Sequence, residues 1–483
     1  MFDSFIWITI DWIYAFTVVF VIALIILENR SPEKTVSWIL ILILIPVVGV
    51  IFYIFFGQDY RKRKIFSRKG LKSSERLLIL QGKILKQLRD NKPARFEDYS
   101  ENSLGIMKML FNNSNCIVTE KNNVEFLIDG EATFHSILES IRKATHHIHL
   151  EFYIFDNDKL GSRVIDALCK KAGEGVKVRI LYDDVGSWRL KQRTINMMQS
   201  AGIKIVSFQK VRFPLLSSKV NYRNHRKLVV IDGNTGFTGG LNIADRYLEG
   251  DPVLGYWRDT FVKIEGEAVW GIQNIFAADW FFTTKENITS AEYYPLVRKP
   301  GNNTVQIVSS GPDSDWPAIS QFYFTAIAQS HKQVFLTSPY FMPTDDIITA
   351  LKTAALRGVD VRIIIPEKSD SVFARFGTES YIEEMLEAGI RIYFYSNGFI
   401  HCKTMVVDGE IISIGSANMD FRSLETNFEI NAVIYDETLA TSMNSIFEAD
   451  LKYCIPQSIE SWNNRSFFRR FTASLVRLVS PLM

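Results

Sequence analysis

The stretch Asn224-His225-Arg226-Lys227-Leu228-Val229-Val230-Ile231-Asp232-Gly233 returns 176 positions later as Ile400-His401-Cys402-Lys403-Thr404-Met405-Val406-Val407-Asp408-Gly409. The histidine, lysine and aspartate recur at one constant offset. So do Gly239 and Gly415, Asn242 and Asn418, and Arg246 and Arg422. Chance does not place six matches at one spacing, so the chain carries two copies of one unit. Each copy predicts a strand with His and Lys two apart and therefore on the same face. Arg226 and Cys402 point the other way, which makes Cys402 a small core residue rather than a nucleophile. Asp-Gly then predicts a hairpin turn, with the second strand returning over 411–415.

Working outward, the repeat extends beyond this stretch. Gly175-Val-Lys-Val-Arg-Ile-Leu181 matches Gly358-Val-Asp-Val-Arg-Ile-Ile364, and Ala201-Gly-Ile-Lys-Ile205 matches Ala388-Gly-Ile-Arg-Ile392. An earlier strand stands in each half, over 148–155 and 334–341. Strands alternate with helices from about residue 116 onward, which predicts an α/β fold. A period near 180 residues is too long for a solenoid. It predicts two lobes, each a mixed sheet flanked by helices, related by a pseudo-two-fold axis that brings equivalent residues face to face.

Two histidines, two lysines and two asparagines across such an axis suit phosphoryl chemistry. Lysines and amides stabilise non-bridging oxygens. One imidazole can attack phosphorus while the other protonates the leaving oxygen, and no metal is required. The phosphate-binding candidates are Lys227, Asn242, Lys403, Ser416 and Asn418. The bland alternative, two satisfied core histidines, leaves a buried lysine beside each without an explanation. By position along the strand, Asp232 and Asp408 fall past the His/Lys pair, where they would satisfy turn backbone.

The chain has 483 residues, 47% of them hydrophobic and 22% charged, with a net charge of +2. That excludes a disordered chain, a collagen-like fibre and a disulfide-stapled miniature fold. Cys116, Cys169, Cys402 and Cys454 are far apart, so no zinc ribbon or redox pair is expected. Residues 12–27 and 35–58 contain no charge. Each run has about the 20 residues of a bilayer-crossing helix. A short polar link with Pro32 separates them, predicting a membrane hairpin rather than a cleaved signal peptide. Between Asp59 and Arg95 stand 13 Lys/Arg against three acids. The positive-inside rule then puts both the N-terminus and everything after the hairpin in the cytoplasm, beside an anionic membrane surface. The spacing of Leu77, Leu78, Leu80, Ile84, Leu85 and Leu88 predicts an amphipathic linker.

Weaker signals remain. His147, His149 and Glu151 share a strand face, which invites a metal reading, although a strand at the lobe interface lining the cleft explains it better. The segment 210–226 is longer than its second-half counterpart and mixes cations with Phe213, Leu215 and Leu216. It reads either as a surface loop or as a lip dipping into the bilayer. Phe467, Phe468, Arg469, Arg470, Leu475, Leu478 and Val479 predict a basic amphipathic helix suited to a membrane surface.

On these residues the chain resembles the phospholipase D superfamily, whose paired His-x-Lys-x4-Asp signature is intact at His225, Lys227, Asp232 and at His401, Lys403, Asp408. The hairpin with its Glu28-Asn-Arg-Ser-Pro32 loop, Tyr256-Trp-Arg-Asp-Thr260 and the closing Leu478-Val-Ser-Pro-Leu482 resemble the bacterial cardiolipin synthases more narrowly. The resemblance implies that the six signature residues are catalytic. It implies that phosphatidylglycerol is both donor and acceptor, giving cardiolipin and glycerol through a phosphohistidine, without cofactor or nucleic acid. Family precedent makes His225 the nucleophile and His401 the general acid, then base. It also implies that acids downstream of each signature, Asp259 and Glu429, orient the histidines. The implied organisation is a transmembrane hairpin (1–58, helices about 5–27 and 35–57) and a basic linker (59–115). Two lobes follow, at 116–300 (signature 219–246) and at 301–483 (signature 395–422). Hydrolysis by water, another headgroup exchange, a nuclease and a non-catalytic lipid scaffold are the rivals; tethering to a bilayer argues against the nuclease, and two complete signatures argue against the scaffold.

Overall fold

The structure is a computed structural model, and it describes residues 2–27, 32–45, 49, 50, 53, 99–210, 222–297 and 301–479. The chain divides into two compact units, residues 1–67 with 211–222, and residues 68–210 with 223–483.

The smaller unit contains the helices Phe2–Leu27 and Pro32–Leu44. Val21, Ile25, Leu42 and Tyr53 pack together, while Phe16, Val19, Leu27, Ile43 and Leu44 face outward. Among the described residues no helix is long and apolar enough to cross a membrane. The expected pair of spans at 5–27 and 35–57 is not shown by these residues. The second helix is described over 13 residues, Pro32–Leu44. Pro46 and most of 51–58 lie outside the described residues. So do the amphipathic stretch of the linker and the core of the 210–226 segment.

The larger unit is built on one sheet of fifteen strands, and its order shows the duplication. From one edge run Lys204–Phe208, Lys177–Asp183, His147–Phe152, Leu228–Ile231, Thr235–Gly239, Thr260–Gly266 and Thr119–Ile128. Then come Asn303–Ser310, Glu429–Tyr435, Ile411–Gly415, Thr404–Val407, Gln333–Thr337, Asp360–Pro366 and Arg391–Tyr395, with Cys454–Pro456 added at the far edge. The second series is the first in reverse, as a two-fold axis through the antiparallel pair 119–128 and 303–310 requires. In each lobe three strands are parallel and four antiparallel neighbours continue to the seam.

Helices cover both faces. Gly130–Lys143 buries Phe134, Ile137, Leu138 and Ile141, one stripe at helical spacing, and Asp129 caps it by accepting from Ala132 N. The helices Val269–Thr284 and Glu437–Leu451 contribute to a core shared by both lobes, which includes Ile272, Phe276, Ala440 and Met443. The helix Glu101–Ser114, expected to be linker, instead buries Ile106, Met107 and Leu110 in the second lobe's core.

Candidate active site

Each signature begins where a strand has not yet formed. His225 and Lys227 precede the strand Leu228–Ile231, and His401 and Lys403 precede Thr404–Val407. The expected strand thus starts three residues after each histidine. The reason is that the backbone at each histidine bonds across the seam rather than within its own lobe. His225 N–H donates to Phe428 O at 3.0 Å, and His401 N–H donates to Arg258 O at 2.7 Å. Short parallel pairings extend these bridges, Asn224 with Phe428 and Phe399–Ile400 with Trp257–Arg258.

The residue after each bridge partner is an acid. Glu429 lies 2.9 Å from Nδ1 of His225, and Asp259 lies 2.7 Å from Nδ1 of His401. Each lobe's histidine is therefore held by the other lobe's carboxylate, and Nε2 is left as the reactive nitrogen. All four groups are buried or nearly so.

The lysines bend back onto their own histidines. Lys227 Nζ donates to His225 O at 2.7 Å; Lys403 Nζ donates to His401 O and lies 3.0 Å from His401 Nδ1. Burial pushes both ammonium groups down, Lys403 to about 8 and Lys227 well below its ordinary value. Burial also lowers His225 to about 4, opposed by Glu429. His401 falls well below its ordinary value through burial, Lys403, Lys227 and His225, so the two half-sites feel each other electrostatically.

The two carboxylates differ. Burial pushes Asp259 up to about 7, against the pull of Lys403 and the Thr260 N–H. Burial would also raise Glu429, but His225, Lys227 and Ser416 hold it below its ordinary value. The main cause is the pull of His225 on Glu429, and Ser416 adds the smallest share. Ser416 donates its hydroxyl to Glu429, whereas the equivalent Gly240 has no side chain to offer. A Cβ there would sit 2.4 Å from both Asp259 carboxylate oxygens.

Several expected phosphate ligands are engaged elsewhere. Ser416 Oγ donates to Glu429 and accepts from Ile430 N, so it faces the histidine's carboxylate and not a substrate. Asn242 accepts from Ile154 N at 3.0 Å and donates to Tyr247 OH at 2.7 Å. Asn418 differs, since its Oδ1 is buried without a hydrogen-bond partner. Asp232 accepts the N–H groups of Thr145, His146 and His147, and Asp408 those of His331, Lys332 and Gln333. Each aspartate clamps the turn before the neighbouring parallel strand, at φ near +50° beside a left-handed glycine. These bonds match the turn-closing role that their position along the strand predicts.

The His147, His149 and Glu151 face does not line the cleft. His149 stacks on Phe276 and bonds Gln273, His147 packs on Tyr293, and Glu151 accepts from Asn224. Among the described residues no group of three such ligands could hold a metal. Cys402 is buried at the seam beside Arg258. Sequence reading missed the aromatic walls of the site. Tyr153 meets the His225 ring edge at 5.0 Å, with Lys227 Nζ 5.5 Å above it. Trp257 and Tyr247 stand 5.4 and 6.2 Å from the His401 ring, with Arg246 over both. The matched arginine at 246 was the available signal. It also missed Arg226, buried against Asp279 and reaching Glu429 O and Ser310 O.

Comparison with known proteins agrees with this geometry. A family described as "Cardiolipin synthase, PLD-like domain" matches residues 137–280 and 323–451, and one described as "Phospholipase_D-nuclease N-terminal" matches 6–58. The chain is 42% identical over 469 residues to a cardiolipin synthase of Halalkalibacterium halodurans, covering 97% of this chain and 92% of that one. It is 40% identical over 476 residues to the major cardiolipin synthase ClsA of Bacillus subtilis, covering 97% and 98%. Among solved structures it shares its fold with a phosphatidylserine synthase of Haemophilus influenzae, at 16% identity and a TM-score of 0.59, covering 78% of this chain and all of that one.

Proposed function

The chain belongs to the cardiolipin synthase family of phospholipase D-like phosphatidyltransferases, and from that premise we propose how its residues carry the transfer. The donor is phosphatidylglycerol. His225 Nε2 attacks phosphorus, the P–O bond to glycerol breaks, and His401 delivers a proton from Nε2 to the departing oxygen. The phosphatidyl group then sits on His225. The free hydroxyl of a second phosphatidylglycerol gives its proton back to His401, its oxygen attacks phosphorus, and the P–N bond breaks. Cardiolipin and glycerol are the products, and both imidazoles end as they began.

The observation that carries this reading is the crossed pairing of His225 with Glu429 and His401 with Asp259. A carboxylate on Nδ1 fixes the tautomer, and it stabilises the positive ring that forms on phosphorylation or protonation. The lower-lying Glu429 suits the nucleophile, which must carry that charge through a whole intermediate. Empty, the site holds its histidines neutral; a bound phosphodiester anion restores the protonated form of His401. Lys227 and Lys403 meet the non-bridging oxygens, and the unfilled Oδ1 of Asn418 is left to accept from a substrate hydroxyl.

The N-terminal segment is read as the membrane attachment. Its helices turn Phe16, Phe20, Leu24, Leu40 and Leu44 outward, an apolar surface that lipid would cover. The finer arrangement is a cytoplasmic N-terminus, two spans and cytoplasmic lobes, as the basic run at 61–64 favours. The test is purified full-length chain with phosphatidylglycerol vesicles. Cardiolipin with equimolar glycerol supports the reading; phosphatidic acid as main product makes the chain a hydrolase, and no turnover refutes it.

A further inference from the structure

The second lobe contains a cleft of about 340 Å³ whose lining includes neither histidine and which the mechanism does not use. It lies where the parallel strands ending at Pro366 and Tyr395 meet the helix Val372–Glu387 and the C-terminal segment. Arg375, Arg465 and Arg469 line it, with Trp462.

Two buried donors there are unfilled. Arg465 has a side chain only 8% exposed; its Nε donates to Trp462 O and its Nη2 to Glu383, but Nη1 has no partner. The indole Nε1 of Trp462, with the Arg465 guanidinium stacked on its ring at 3.8 Å, has none either. A buried donor left without an acceptor costs about 1–3 kcal/mol, so such a pair calls for an oxygen-rich ligand. Two carboxylates, Glu367 and Glu379, also line the cleft. Glu379 is taken up by Arg375 and Arg469, and Glu383 by Arg465. Burial holds Arg465 below its ordinary pKa in spite of Glu379 and Glu383, so a further anion beside it is favourable.

The rim is apolar. Phe467, Phe468 and Phe471 on the helix Phe467–Val479 face outward, Phe468 being 79% exposed. Val372 and Phe373, just before the lining residues Ala374 and Arg375, are also exposed, as is Ile455. The basic side of that last helix is turned inward instead, Arg469 onto Glu379 and Arg477 onto Glu384. Cations at the floor and aromatic groups around the mouth match a phospholipid in a bilayer: phosphate below, glycerol and acyl chains beside the rings.

We propose that this cleft is a second, non-catalytic site for the phosphodiester of an anionic phospholipid presented by the membrane surface. It requires neither His225 nor His401.

The test uses full-length chain in vesicles containing a phosphatidylglycerol analogue with a photoreactive group near its phosphate, and maps labelled peptides by mass spectrometry. Peptides covering 366–379 and 455–469 should be labelled in the wild type and equally in the inactive His225→Ala variant, which separates this site from the catalytic reading. Unlabelled phosphatidylglycerol should displace the probe, and diacylglycerol should not. Arg465→Gln should cut labelling there about tenfold, the loss of one charge-assisted contact. Arg469→Gln, at a partly exposed position, should do so in the same direction, and its thermal midpoint, read alongside, separates loss of binding from loss of fold. Labelling confined to the catalytic residues, labelling indifferent to both substitutions, or displacement by inorganic phosphate as complete as by the lipid would each overturn the proposal.

Discussion

Glu429 of the second lobe accepts Nδ1 of His225 of the first at 2.9 Å, so neither lobe contains a complete histidine–carboxylate pair. Asp259 does the same for His401 in the opposite direction. Duplication has therefore produced one site and not two, since each half supplies what the other's histidine lacks.

Glu429→Gln keeps the shape of this contact but removes the charge that holds the tautomer and the cationic intermediate. Turnover on phosphatidylglycerol vesicles should fall about a hundred- to ten-thousandfold, with KM little changed. Glu429→Asp should recover part of that loss, because a carboxylate is restored. A Gln variant within twofold of wild type would show that the pairing is not used.

Gly240→Ala adds one carbon, 2.4 Å from both oxygens of Asp259. The carboxylate must move, and His401 loses its partner. Activity should drop at least as far as in Asp259→Asn, while the thermal midpoint changes modestly. Ser416→Ala at the equivalent position removes a hydroxyl that serves Glu429 and Ile430 N. Rate should fall, together with about 1–3 kcal/mol of stability. Rate and thermal unfolding of the two variants check the contrast.

The rate of the free enzyme with substrate should be bell-shaped in pH. Asp259 titrates at about 7; below that it is neutral and no longer supports a cationic His401, so kcat/KM rises with pH on the acid side. Lys403 titrates at about 8; above that its charge is lost and kcat/KM falls. Lys403→Arg, where it retains activity, should push the alkaline limb upward, because guanidinium stays charged. A flat kcat/KM profile from about pH 6 to pH 9 would contradict both assignments.

Arg226 is buried, pairs with Asp279 and reaches the backbone oxygens of Glu429 and Ser310 across the seam. Arg226→Ala removes the cation paired with the buried Asp279 and should cost about 3–5 kcal/mol. Chemical denaturation measures it. The double variant Arg226→Met with Asp279→Leu should be less destabilised than the single one, because the Asp279 charge is removed with its partner.

The duplication, the α/β class and the order of strands around each signature were legible because hydrophobic runs and the Asp-Gly turns are local signals. Gly415 closes its returning strand as the sequence predicts. What was not legible depended on partners far along the chain. Nothing near Ser416 announces that its hydroxyl turns to Glu429, and nothing near Asn242 announces Tyr247 and Ile154 N. The missed walls, Tyr153 and Trp257, look like ordinary strand aromatics until the fold brings them to the rings. His147 and His149 misled for the opposite reason: period-two spacing gives a shared face, but only the helix Val269–Thr284 decides that this face is core.

The most direct test of the shared site is to locate the intermediate. Full-length chain should be mixed with phosphatidylglycerol labelled at phosphorus, quenched during a single turnover, and digested. The account predicts label on the peptide containing His225, appearing and decaying before cardiolipin accumulates, and absent from His225→Ala. Label only on the His401 peptide, or cardiolipin formed at the full rate with no labelled histidine at any time, would contradict it.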